Sequence, residues 1–284
     1  MQLFVEHSTV YRFNGNVHLE PHTFRLRPRM SSVQRLLLFD LQIWPAPVGA
    51  AECLDQDGNL AMRAWFSAAT SELSIRSRFR VELLRTNAYD FLLDDSASRL
   101  PLWYAEPSNT ALAPYRNFAS VGQTVREYAN GAAVQGQWDV LLFLNQLNEE
   151  IFRSFRHVVR PEGAAWPSDQ TLLLGEGSCR DLAVLFCDAC RTVGIAARFV
   201  SGYECATAGR LDASMHAWAE VFLPDVGWRG FDPSRGLAVA NGHVAVASGF
   251  DPMLAAPIAG MYSGGCGSGM EVDIQMAVEA NGGP

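Results

Sequence analysis

Gly175-Glu176-Gly177-Ser178-Cys179-Arg180-Asp181-Leu182-Ala183-Val184-Leu185 is the stretch from which the rest of the 284-residue chain is best read. A glycine-containing turn runs into an apolar face, Leu182, Ala183, Phe186, Cys190 and Val193, spaced by three and four residues, and Gly194 closes it. That is the pattern of a helix with a glycine stop. Cys179 is therefore expected in the first helical turn, where free N–H groups and the positive end of the dipole favour a thiolate over a thiol. A free thiol titrates near about 8.5 and is a poor nucleophile at neutral pH until something lowers that value. The glycines leave room for a substrate backbone. Alone, Cys179 reads equally well as one more buried cysteine.

Two later segments change the weighing. His216-Ala217-Trp218 opens a strand-like run, Ala217 to Leu223, and Phe231-Asp232-Pro233 closes another that begins at Trp228. The turn Pro224-Asp225-Val226-Gly227 between them predicts antiparallel pairing. Counted back from the turn, Asp232 falls near the level of His216, and ladder neighbours lie about 5 Å apart. A carboxylate there can orient an imidazole, which in turn can pair with a thiolate and hand a proton to a leaving group. Cys, His and Asp would then come from a helix start and two adjacent strands, the nucleophile, base and orienter arrangement of papain-type sites.

Upstream, period-two alternation dominates. Leu73, Ile75, Phe79, Val81 and Leu83 alternate with polar residues, Leu36 to Trp44 and Leu60 to Phe66 read as further strands, and Asp55-Gln56-Asp57-Gly58-Asn59 reads as a turn. Residues 1–85 are expected to form an antiparallel, β-sandwich-like domain. Residues 86–119, with Pro101, Pro107 and Pro114, form a connector whose Trp103, Tyr104 and Tyr115 should pack against something. Residues 120–284 form the catalytic unit. It holds a helix through Val140, Leu144, Leu147, Ile151 and Phe155, and strands at Ala197 to Glu204, His243 to Ala247 and Glu271 to Val278. The fold class is thus α+β: a papain-like domain preceded by an antiparallel β domain. Gly264-Gly265-Cys266-Gly267-Ser268-Gly269 reads as a flexible loop near the active face rather than a phosphate loop.

Composition bounds the partners. A net charge of -8 and a pI near 5.3 argue against nucleic acid or an anionic membrane. No apolar run reaches the roughly 18 residues of a membrane span, and Met1 to Phe13 lacks a signal-peptide pattern, so a soluble cytoplasmic protein is expected. Cys53, Cys179, Cys187, Cys190, Cys205 and Cys266 are too dispersed for a disulfide framework. Cys187 and Cys190 form a C-x-x-C inside the helix and read as core residues rather than a metal or redox pair.

The run G-E-G-S-C-R-D-L-A-V-L, with G-I-A-A-R-F-V-S-G-Y, H-A-W-A-E-V-F-L-P and G-W-R-G-F-D-P-S, resembles the core of the transglutaminase-like superfamily over about Val140 to Val278. Tyr11-Arg12-Phe13, Arg25 to Arg29 and Asp57-Gly58-Asn59 resemble the β-rich N-terminal region that accompanies this core in bacterial proteins. The resemblance implies a thiol hydrolase of peptide or amide bonds, with Cys179 as nucleophile, His216 as acid–base and Asp232 as orienting carboxylate. It implies no cofactor and no metal. Its substrate would be a peptide or protein.

Other residues read more plainly. Asp181 suits the helix dipole, and being near Cys179 it would oppose a thiolate unless Arg180 or a backbone donor neutralises it. Trp166 and Gln170 are candidates for an oxyanion donor from chain position only. Trp218 and Tyr203 either shield the site or pack the core, His243 is expected at the surface, and Glu220 faces the site or makes a salt bridge. Three alternatives stay open: transfer of the acyl group to an amine instead of water, a binding module without turnover, and a zinc hydrolase using His216, Asp232 and a cysteine.

Overall fold

In the computed structural model, which describes residues 1–205, 214–265 and 267–279, alternation of apolar and polar residues becomes one long sheet. Its strands are β1 (Gln2–Leu19), β3 (Gln34–Trp44) and β6 (Thr70–Leu83), with β6 between the other two. A smaller sheet holds β2 (His22–Phe24), β4 (Gly49–Leu54) and β5 (Leu60–Trp65).

The odd-numbered residues of β1 and β6 share one buried face of the large sheet, and that face has two partners. Phe13, Val17, Leu19, Leu73 and Ile75 pack with Phe24, Leu26 and Ala64 of the small-sheet region, which makes the expected sandwich. Leu3, Val5, Phe79, Val81 and Leu83 pack instead on Tyr203, Val244 and Val246 of the second half of the chain. Where the two clusters meet the face turns polar, and His7 Nδ1 lies 2.7 Å from the Tyr203 hydroxyl. Tyr203 is thus a residue of the contact between the two halves.

Next come α1 (Ser108–Ala111), α2 (Gln123–Gln135), α3 (Val140–Ser154), β7 (Arg156–His157), α4 (Ser168–Leu174), β8 (Glu176–Gly177) and α5 (Cys179–Thr192). The expected helices at 140–155 and 179–193 are present; α2, rich in alanine and weakly patterned, carried no clear sequence signal. Within the connector Tyr104 is buried, its hydroxyl donating to Phe222 O (3.0 Å) and accepting from Ala196 N (2.9 Å), and Tyr115 donates to Asp57 (2.7 Å). Trp103, by contrast, is 75% exposed and packs no core.

The core sheet holds β9 (Ala197–Glu204), β10 (Met215–Leu223), β11 (Gly227–Asp232), β12 (Leu237–Ala238) and β13 (His243–Gly249), in the order β12-β11-β10-β9-β13, all antiparallel. Leu182, Leu185, Phe186 and Ala189 of α5 join Ala219, Val221, Leu223 and Phe231 of the sheet in one buried cluster. The free edge of β13 is covered by two side-chain amides. Gln34 bonds both backbone groups of Ala245 (2.7 and 2.9 Å), and Asn59 does the same to Ser248 (2.7 and 2.8 Å), mimicking a paired strand.

The end of the chain departs from expectation. β14 (Ile258–Ala259) pairs β2, while β15 (Tyr262–Ser263) and β16 (Ser268–Glu279) pair β1, so these three strands belong to the first two sheets and not to the core sheet. Alternation predicts a strand at 271–278 but carries no record of which edge it joins. In the glycine-rich run Asn14 N donates to Gly267 O (3.0 Å), and Cys266 lies outside the described residues. Among the described residues no helix is long and apolar enough to cross a membrane.

Candidate active site

Cys179 is the first residue of α5. Ser178 precedes it in extended conformation, and a reciprocal cap with Asp181 fixes the start of the helix. Asp181 is wholly buried. It accepts from Ser178 N and Oγ (2.7 Å each), from Trp166 N (2.7 Å) and from Arg160 Nη1 on both oxygens (2.6 Å). Burial would raise its carboxyl; these donors outweigh burial and hold it below the usual range. The neutralising cation is thus Arg160, not Arg180, which donates instead to the carbonyls of Arg160 (2.6 Å) and Glu162 (2.8 Å).

The sulfur of Cys179 is half-buried, and three donors act to lower its thiol: the side chains of His157 and His216 and the Ala217 N–H. Burial pushes the thiol up, but these donors and the positive charge of His216 bring it down to about 6.

His216 and Asp232 meet as the sequence suggested, by a different route. Phe231 pairs with Ala219, so Asp232 comes next in line with Trp218 rather than with His216. The side chains close the diagonal, and His216 Nε2 lies 2.7 Å from Asp232 Oδ2. A carboxylate only accepts, so Nε2 carries the proton and Nδ1 is the nitrogen left for sulfur. Burial would lower the imidazole, yet its bonds to Asp232 and Cys179 raise it to about 10. On β9, Gly202 pairs with His216; a Cβ there would stand 2.0 Å from Val244 O and 2.8 Å from the Trp218 ring. Only glycine lets that backbone and that ring close behind the histidine.

His243 overturns the expectation of a surface residue. It is buried, its ring packs 5.0 Å from Trp218, and its Nε2 lies 2.9 Å from the same Asp232 oxygen. The other oxygen accepts from Ser234 N (3.0 Å) and Oγ (2.8 Å). Burial would raise Asp232; the two histidines outweigh it and hold the carboxyl well below its usual range. A lone histidine at the start of a strand gives no sequence signal of such a partner.

His216, Asp232 and His243 also bring three ligand-type atoms within 4.8 Å of one another. The carboxylate oxygen, however, stands at N–H···O distance from both imidazoles, and all three side chains are buried, which suits shared protons better than metal bonds of about 2 Å. The zinc alternative with a cysteine as third ligand gains nothing from this geometry.

Of the remaining residues, Trp166 lies half-buried beneath the Arg160 guanidinium (4.1 Å to the ring centre), and Gln170 is exposed on α4. Glu220 makes a salt bridge to Arg198 (Nε–Oε2 2.7 Å), with Arg29 at 3.7 Å. Cys187 and Cys190 are buried in the core, and burial pushes both thiols up. Trp218 is buried behind the two histidines. At the mouth, Glu204 lies 3.9 Å from His216 Nδ1 and is gripped by Arg235 (2.7 to 2.9 Å). Neither Glu204, Arg235 nor His157 stood out in the sequence.

Comparison with known proteins agrees with this architecture. Residues 3–82 match the bacterial transglutaminase-like N-terminal region, and residues 130–233 match the transglutaminase-like superfamily. A protein of Mycobacterium tuberculosis is 27% identical over 290 residues, covering 96% of this chain and 91% of that one. A Mycobacterium leprae protein is 29% identical over 105 residues, 35% of this chain and 37% of its own. The crystal structure of a candidate cysteine protease from Cytophaga hutchinsonii superposes with a TM-score of 0.69 at 19% identity, over 99% of this chain and 92% of that one, and so shares the fold. With its core and its N-terminal region both matched, the chain belongs to the transglutaminase-like superfamily and carries the N-terminal region typical of the bacterial form.

Proposed function

We propose that this protein is a cysteine-dependent acyl-transfer enzyme that hydrolyses amide bonds in peptides or proteins. The observation that carries the reading is an imidazole whose Nε2 is held 2.7 Å from a buried carboxylate and which lowers a thiol at a helix start. With the thiol near 6 and the imidazole near 10, the resting pair at neutral pH is thiolate and imidazolium.

The thiolate of Cys179 attacks the amide carbonyl carbon, forming an S–C bond and moving charge to oxygen. The N–H of Cys179, in the first turn of α5 and without an intrahelical acceptor, is a backbone donor available to that oxygen. His216 Nδ1–H then protonates the amine as the C–N bond breaks, leaving a thioester. Neutral His216 next takes a proton from water, which adds to the thioester and releases the acid and the thiolate. Asp232 keeps its proton-free state throughout and holds the ring.

A nucleophilic thiol works only while reduced, which is the ground for proposing a reducing compartment such as the cytoplasm. Mass spectrometry of a peptide library incubated with wild type and with Cys179→Ala tests the reading. Cleaved peptides with wild type alone support hydrolysis. Mass added at Gln or Lys would replace hydrolysis with transfer to amines, and identical spectra would leave only a binding module.

A further inference from the structure

The segment between α3 and α4 is clamped against the start of α5 more firmly than a connection needs to be. β7 runs parallel to β8 with His157 opposite Gly177, two residues before Cys179. Arg156 N donates to Gly175 O (2.9 Å) and Val158 N to Gly177 O (3.0 Å). Three residues on, Arg160 is locked onto Asp181 inside the helix start, and Arg180 reaches back to two carbonyls of the same segment. The result is a strut that sets one exposed imidazole beside Gly177, two residues from Cys179, where it acts with His216 to lower the thiol. Among the described residues no carboxylate lies within salt-bridge distance of that ring, in contrast to His216 and His243.

We propose that His157 is a further catalytic residue, an imidazole fixed at the mouth of the site that donates a hydrogen bond to the Cys179 sulfur from the solvent-facing side while His216 holds it from within. The proposal rests on Cys179 being the nucleophile. Two imidazoles share the sulfur's charge with the Ala217 N–H, and they differ in kind: the buried one is tied to Asp232, and the exposed one has no carboxylate partner among the described residues. When the sulfur gives up its charge on forming the thioester, His157 is released at the point where the amine leaves and water enters. The other charged groups around the sulfur are His216 and its partner Asp232 on β10 and β11, and the Glu204–Arg235 pair at the mouth, so the readout must isolate His157 itself.

The test is the pH dependence of iodoacetamide alkylation at Cys179, followed by peptide mass mapping, in wild type, His157→Ala, His157→Asn and His157→Gln. Loss of one hydrogen bond to a charged sulfur should move the half-rate point of the alanine variant up by about one pH unit. An amide N–H at the right reach should restore part of that shift in Asn or Gln. An exposed side chain is not needed for folding, and the thermal midpoint of each variant checks this. A half-rate point unchanged in the folded alanine variant overturns the proposal while leaving Cys179 as nucleophile. Alkylation of wild-type Cys179 no faster than that of exposed Cys53 overturns both.

Discussion

Asp232 Oδ2 stands between two imidazoles, 2.7 Å from His216 Nε2 and 2.9 Å from His243 Nε2, although the strand ladder brings Asp232 beside Trp218. One carboxylate therefore serves both rings diagonally, and Ser234 occupies its other oxygen.

Asp232→Asn should break this arrangement, because the amide NH2 would face donors it cannot accept from. Without its counter-ion the His216 imidazolium weakens, and the thiolate with it. The half-rate point for alkylation of Cys179 should rise by about one to two pH units. The sign for stability follows from the depressed carboxyl: its contribution is present above the ordinary value of 3.8 and is lost as pH falls through the folded value.

Asp181→Asn turns one of the two oxygens that share five hydrogen bonds into an NH2, which cannot accept, and leaves Arg160 facing a neutral group in a buried position. Breaking a buried pair from one side costs about 3–5 kcal/mol. Urea unfolding at neutral pH should show a loss of that order. A loss well below about 1 kcal/mol would mean that the cap does not hold the helix start.

His7 offers an acid-sensitive contact between the two halves of the chain. Buried beside Tyr203, its imidazole is pushed down to about 4 by burial, against a weaker opposing pull from Asp273. The neutral ring is the folded form, so its contribution is whole above the ordinary 6.5 and is lost as pH falls towards 4, by about 3 kcal/mol in all. His7→Gln cannot titrate. Its stability should fall less between pH 7 and pH 4 than that of wild type, measured by urea unfolding at both values.

Much of this was written in local pattern. The alternation in Leu73 to Leu83 and the three-and-four spacing from Leu182 to Val193 gave β6 and α5, because burial on one side of an element leaves its period in the sequence. Cys179, His216 and Asp232 were legible because each sits at the end of such an element. His157, His243 and the return of β16 to β1 were not. His157 lies on a two-residue strand with no period, His243 depends on a neighbour three strands away in the sheet order, and β16 could have joined any open edge. Long-range pairing decides these, and it leaves no local trace.

The most direct test of the central claim is the ultraviolet thiolate absorbance of wild type minus Cys179→Ser, titrated against pH. A thiolate paired with His216 predicts a midpoint at about 6. A midpoint at the ordinary thiol value of about 8.5 would contradict it.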